Sequence, residues 1–139
     1  MDPHLRAEVR RSAGNQCEYC LLREEHSDFD HQVDHIIAEQ HGGQTVLQNL
    51  ALACIHCNRH KGPNVAGVDR VTGQVCRLFN PRADSWEEHF EWQGAVLVGR
   101  TVVGRGTVQV LRINRHGRVR TRALLLAQGI TFRPVVAGD

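Results

Sequence analysis

The sequence predicts an α+β fold built on a strand–strand–helix unit, and three observations predict it. Two apolar stretches, residues 29–37 and 46–53, flank a turn at His41-Gly42-Gly43-Gln44, which reads as a hairpin with a long connection. A helix starts near Cys54, runs to Lys61 and is stopped by Gly62-Pro63-Asn64. Two Cys-x-x-Cys pairs, Cys17/Cys20 and Cys54/Cys57, stand before the unit and at the start of its helix.

The elements follow in chain order. Asp2-Pro3 supplies an N-cap and a first helical residue, Leu5 and Val9 fall on one face, and Ala13-Gly14 ends the run, so residues 3–13 read as a helix. Residues 15–28 are polar and irregular, with Cys17-Glu18-Tyr19-Cys20 forming a tight turn. Phe29, His31 and Val33 alternate with polar positions and lead into Ile36-Ile37, the pattern of a strand. Beyond the helix, Thr72-Gly73 reads as a turn and Asn80-Pro81-Arg82 as a loop. Trp86, Phe90 and Trp92 read as a satellite core, and Val96 and Val98 as a strand. Residues 101–113 are open between strand, which their valines favour, and helix, which their length and Asn114 permit. Val119, Ala123, Leu126 and Ile130 recur at helical spacing, which predicts a helix over about 118–128. With no repeat or low-complexity linker, the expectation is one domain over 1–139: a core at 14–64 and a small C-terminal α/β extension at 65–139 with an Arg-rich end.

A chain of 139 residues can build one core, but 13 glycines and 5% aromatics make that core modest, so an additional staple is expected. No apolar run approaches the roughly 20 residues that span a bilayer, and Met1-Asp2-Pro3-His4 lacks the basic and apolar segments of a signal peptide. The expectation is a cytoplasmic protein with no membrane partner. In a reducing compartment five cysteines imply metal or redox chemistry rather than a disulfide framework.

The spacing of Cys17, Cys20, Cys54 and Cys57 suits tetrahedral ligation of Zn²⁺ by two knuckles, and four thiolates fill the coordination sphere, so such a site would be structural. Two disulfides are disfavoured by compartment, and a redox dithiol by the absence of a thioredoxin-like pattern. Cys76 has no partner and reads as a small buried apolar residue.

Asp34-His35 places a carboxylate beside an imidazole at the end of a strand, where two neighbouring side chains can reach one site. Asn58, directly after Cys57, is held by the staple. Asp34 and Asn58 offer the hard oxygens that Mg²⁺ prefers, while an imidazole serves as a general base near neutral pH. That set suits phosphodiester hydrolysis, which needs an activated water and a cation against the phosphoryl oxygens.

Cys17-x-x-Cys20, Val33-Asp34-His35-Ile36, Gly42-Gly43, Asn49-Leu50 and Cys54-x-x-Cys57-Asn58-Arg59-x-Lys61-Gly62 together resemble the HNH endonuclease motif and its ββα-metal (His-Me finger) fold. The resemblance covers about residues 14–64, in the zinc-stapled four-cysteine subgroup. It implies that His35 is the general base, that Asp34 and Asn58 hold one catalytic metal, and that Asn49 braces the loop carrying the base. An asparagine at the last position, as in the nuclease domain of CRISPR effector proteins, favours Mg²⁺ or Mn²⁺ over a transition metal. Lys61, one turn beyond Asn58, is expected to contact a phosphate or the leaving oxygen; Arg59 is either a similar contact or a solvated helix residue. His31 is expected to support the site by packing or hydrogen bonding, and His60 is a candidate ligand. His41 and His56 read as surface residues.

The implied substrate is DNA, double-stranded before RNA, nicked one strand per site. The net charge of +2 is small, but Arg105, Arg112, Arg115, Arg118, Arg120, Arg122 and Arg133 crowd the C-terminal third, which suits a polyanion or else a solvated helix face. Two competing readings are a zinc-stapled nucleic-acid-binding module without catalysis and a zinc-ribbon interaction protein; neither gives Asp34, His35 and Asn58 a purpose.

Overall fold

The computed structural model describes residues 1–135. Helix α1, Pro3–Ala13, begins at Asp2, whose carboxylate accepts the His4 N–H at 2.9 Å, and ends at Gly14 in the left-handed region (φ 62°). Strand β1, Gln32–His35, pairs antiparallel with β2, Leu50–Ala53, in the register Gln32↔Ala53 to His35↔Leu50. Both are shorter than the apolar stretches predicted: residues 29–31 and 36–37 lie outside β1, and Leu47–Asn49 coils into a 3-10 turn just before β2, as Glu39–His41 does earlier in the connection. Helix α2, Ile55–Lys61, completes the ββα unit.

Strand β2 is buried at all four positions and is read on both faces. Leu50 and Leu52 pack with Val9 and Ala13 of α1, while Ala51 and Ala53 join the cluster that contains the four paired cysteines. Successive residues of a strand face opposite ways, so two large side chains fill the space under α1 and two small ones admit the cysteines on the other side. Burying Leu50 and Leu52 contributes about 1.5–3 kcal/mol each.

The extension begins with a hairpin that the sequence did not reveal beyond its turn: β3, Ala66–Val68, against β4, Val75–Arg77. A one-turn helix α3, Trp86–His89, leads into a second hairpin, β5, Phe90–Gln93, with β6, Val96–Gly99. Residues 101–113 resolve as helix α4, Val102–Val110, and α5 spans His116–Ala127. Thr101 caps α4 by accepting the Gly104 N–H at 3.0 Å. Gly104 and Gly106 let α4 lie close against its neighbours: a Cβ on the first would collide with the carbonyl of His89, and on the second with Cys76 Sγ.

Two expectations are corrected. The aromatics are no satellite core. Phe79 and Phe90 meet edge to face at 5.1 Å and share one apolar cluster with Tyr19 and the paired cysteines, and Trp86 donates its indole N–H to the Tyr19 carbonyl at 2.9 Å. Nor is the arginine run a uniform solvated face. Arg118 and Arg122 are buried, Arg122 donating to the carbonyls of Ala95 and Ile113 and lying over the Trp92 ring, while Arg105 is paired with buried Asp69. Backbone carbonyls left open between short elements need donors, and long guanidinium side chains supply them. Cys76 is buried as predicted.

Candidate active site

The first knuckle is shaped by backbone donors. The Cys17 N–H bonds to the Leu22 carbonyl at 2.8 Å, Leu21 adopts φ 66°, and the Cys20 N–H points at Cys17 Sγ at 3.5 Å. The second repeats the device at the start of α2, where the Cys57 N–H meets Cys54 Sγ at 3.4 Å. All four cysteines are buried and their sulfurs lie within 4.8 Å of one another, an arrangement that could hold a metal ion. Cys20 and Cys54 sulfurs are 3.7 Å apart, close to the ~3.8 Å edge of a tetrahedron drawn around zinc at ~2.3 Å. The donor set and its geometry therefore fit Zn²⁺. Arg118 of α5 donates to Cys57 Sγ at 3.0 Å and approaches Cys54 Sγ at 3.8 Å.

Asp34 and His35 end β1 and line one shallow cleft of about 320 Å³ with Ala38, Glu39, Gln40, Gly62 and Pro63. Asp34 Oδ1 accepts the His35 N–H at 2.8 Å and lies 3.8 Å from His35 Nδ1, so the strand end brings neighbouring side chains to one place. At the other edge of the imidazole, Nε2 is 2.8 Å from Thr45 Oγ1 and 3.4 Å from Glu39 Oε1. Sequence reasoning missed Thr45 and Glu39. They sit in an irregular connection, and only the four-residue offset of Glu39 from His35 hints at proximity.

Asn49 ties that connection together. Its Oδ1 accepts the Ile37 N–H at 2.9 Å, and its Nδ2 donates to the carbonyls of Ile37 and Gln44 at 2.9 Å each. Gly43 passes so close that a Cβ there would collide with the Ile37 carbonyl. Lys61 departs from expectation. It is 3% exposed, and its Nζ donates to the His35 carbonyl at 3.3 Å and the Gly62 carbonyl at 3.5 Å, inside the fold rather than toward a substrate. Burial pulls its pKa down, and Asp34 partly offsets that.

Asn58 is half-buried and does not line the cleft. It stands three positions before Lys61, hence on the face of α2 that Lys61 turns toward β1. His31 lies away from the cleft, buried with Nε2 2.8 Å from the Leu22 carbonyl, where it supports the first knuckle. His41 and His56 are exposed and His60 is intermediate.

Residues 17–64, which hold the cysteine cluster and the Asp34–His35 cleft, match the model of the HNH endonuclease family and form an HNH-type domain of mixed helix and strand. Among curated proteins, the chain is similar to the Septu protein PtuB of Bacillus thuringiensis, 24% identical over 119 residues, covering 84% of this chain and 44% of that protein. It thus spans less than half of the relative's length. No solved structure matches. Among the described residues no helix is long and apolar enough to cross a membrane.

Proposed function

We propose that this protein is a metal-dependent DNA endonuclease in which His35 is the general base, Asp34 and Asn58 hold one Mg²⁺ or Mn²⁺, and the four paired cysteines hold a structural Zn²⁺. The observation that supports the reading is that two oxygens, of Thr45 and Glu39, stand at the Nε2 edge of the His35 ring and the Asp34 carboxylate stands on its Nδ1 side. An ionised Glu39 can only accept a hydrogen bond, so its place at Nε2 with Thr45 favours the tautomer that carries its proton there and leaves the Nδ1 lone pair on the side of Asp34. A base with a fixed tautomer beside a carboxylate is what abstraction of a proton from water requires.

A carboxylate and an amide oxygen are hard donors, and few protein ligands suit a cation that retains water and substrate oxygens in its shell. When bound, that cation supplies charge against the phosphoryl oxygens of the substrate. His35 Nδ1 takes the proton of the attacking water. Asn49 fixes the connection that begins at Ile36 and carries Thr45 close by, and Lys61 anchors the His35 carbonyl, so both are positioning residues. The test is supercoiled plasmid with Mg²⁺ or Mn²⁺: nicked circles from the wild type, and at least a hundredfold slower nicking by His35→Ala. Equal rates overturn the catalytic assignment, and a gel shift without cleavage favours a binding module.

A further inference from the structure

Among the described residues five arginines are paired with acids, and of the exposed, unpaired ones Arg59, Arg112 and Arg115 differ from Arg6, Arg11, Arg70, Arg100, Arg120 and Arg133 in being gathered around one buried guanidinium, that of Arg118. Arg10, Arg23, Arg77, Arg82 and Arg105 each face a carboxylate. Arg59, Arg112 and Arg115 are exposed, and among the described residues none has a carboxylate partner. Arg59 belongs to α2 while Arg112 and Arg115 share the turn between α4 and α5, and Arg118 brings the two segments together. Its guanidinium bonds at once to Cys57 Sγ on α2 (3.0 Å) and to the carbonyls of Leu111 (2.7 Å) and Arg112 (3.2 Å), which bolts the turn between α4 and α5 onto α2. The inner face of α2 carries Cys54, Cys57 and Lys61, so His56, Arg59 and His60 fall on the outer side, where that turn sits.

His56 and His60 lie among these arginines. His60 is held below the ordinary imidazole range, first by desolvation and then by Arg112, Arg118, Arg115 and Arg59, and His56 likewise by desolvation, Arg118, Arg59 and Arg115. The charge of the surface is that of the arginines and depends on neither histidine titrating.

Arg112 adds an independent observation. It follows the C-cap Leu111 of α4 with φ 49°, the left-handed position that glycine or asparagine fills without strain. Its side chain is exposed, so packing gives no reason for an arginine there. A strained backbone with an exposed cation points to a contact outside the fold. The surface also leads to the right place. Arg59 lies three positions, about 4.5 Å of helix rise, before Gly62, which lines the cleft with Asp34 and His35.

We propose that Arg59, Arg112 and Arg115 form a ledge that takes the phosphate backbone of duplex DNA beside the scissile position, so that the extension supplies substrate-binding surface to the HNH domain. The location of the scissile position rests on the nuclease reading above; the ledge itself is tested by binding. Anisotropy of a labelled 20-base-pair duplex, without added Mg²⁺ or Mn²⁺ and over a range of salt, compares wild type with Arg112→Gly/Arg115→Ala and with Arg115→Glu. Two lost phosphate contacts should weaken binding about tenfold or more and flatten the log–log salt slope by about 1.8. Because glycine relieves the backbone at position 112, the double variant should melt no lower than wild type and keep its zinc, which separates binding from folding.

Affinity and slope unchanged in both variants overturn the ledge and leave the nuclease reading standing. A wild type that binds and cuts nothing, with both variants weakened, overturns cleavage and leaves the ledge. Tighter wild-type binding to duplex RNA than to duplex DNA overturns the DNA assignment, and binding to neither overturns the ledge while plasmid nicking still decides the nuclease reading.

Discussion

The guanidinium of Arg118 lies 3.0 Å from Cys57 Sγ, joining α5 to the four-cysteine cluster of the first half of the chain. Four thiolates around one Zn²⁺ carry a net charge of about −2 in a buried place, and Arg118, 8% exposed, is the fixed positive charge that faces them. Arg118→Met removes that charge and leaves the sulfurs uncompensated. We predict a loss on the order of 3–5 kcal/mol and a Tm fall of roughly 10 °C. Zinc transfer to a chromogenic chelator should be faster, with Arg118→Lys intermediate because one ammonium cannot serve the sulfurs and two carbonyls at once. Unchanged zinc transfer in Arg118→Met would remove Arg118 from the site.

Removing the zinc should unfold more than the knuckles. The cysteines share a core cluster with Phe79, Phe90, Leu97 and Leu111, and Trp86 is bonded to the carbonyl of Tyr19 between Cys17 and Cys20. Chelation is expected to abolish the near-UV dichroism of Trp86 and Trp92 together with most far-UV signal, and re-addition of zinc to restore both. A chelated protein that keeps its tryptophan signals would show that packing alone holds the fold.

Acid should destabilise the protein partly through Asp69. Paired with Arg105 at 2.9 Å and bonded to Thr72, its carboxyl is held well below the ordinary range. A depressed carboxylate contributes stability that is fully present above its unfolded value, about 3.9, and is lost as pH falls through the lower folded value. Asp69→Asn should therefore lower Tm at pH 7 and flatten its dependence below about pH 4. The difference between the two proteins is the measure, since zinc also leaves as thiolates protonate. Parallel Tm curves would mean the pair is not an ion pair in solution.

Local signals carried what was legible in the sequence. Both limits of α1 were readable because Asp2, Pro3 and Gly14 lie beside the bonds they make, and α2 was readable from Cys54 and Gly62 for the same reason. The pairing of Asp34 with His35 was readable from their adjacency at a strand end, and the bracing by Asn49 came through the family pattern. What escaped depends on partners remote in the chain. Arg118 looks like any surface arginine until the sulfur 61 residues away is placed beside it, and Lys61 like a substrate contact until the His35 carbonyl is found above it. The helix at 102–110 was ambiguous because its valines favour a strand, and its glycines make sense only against His89 and Cys76.

Asn49 and Gly43 separate folding from positioning. Asn49→Ala removes three bonds in a half-buried connection, a loss of roughly 1–3 kcal/mol, and leaves both hairpin strands paired. It should stay folded with zinc bound while its cleavage rate falls far more than its stability. Gly43→Ala drives a methyl into the Ile37 carbonyl and should displace the same segment by another route. If Asn49→Ala cleaves at the wild-type rate, the connection needs no brace.

Thr45 tests the tautomer. Its hydroxyl and the Glu39 carboxylate stand at the Nε2 edge of His35, and the proposed mechanism takes Nδ1 as the basic nitrogen. Valine has the shape of threonine without the hydroxyl, so Thr45→Val loses the hydrogen bond with little change in packing at an exposed site. The imidazole can then rotate, or carry its proton on Nδ1, and only part of the population is competent. We predict a roughly tenfold loss in kcat with KM for DNA nearly unchanged, because the ring acts on water and does not bind the substrate. Thr45→Ser, which keeps the hydroxyl, should recover most of the rate, and Glu39→Gln combined with Thr45→Val should fall further than either alone. A serine variant as slow as the valine variant would show that the methyl group, not the hydrogen bond, is what position 45 contributes.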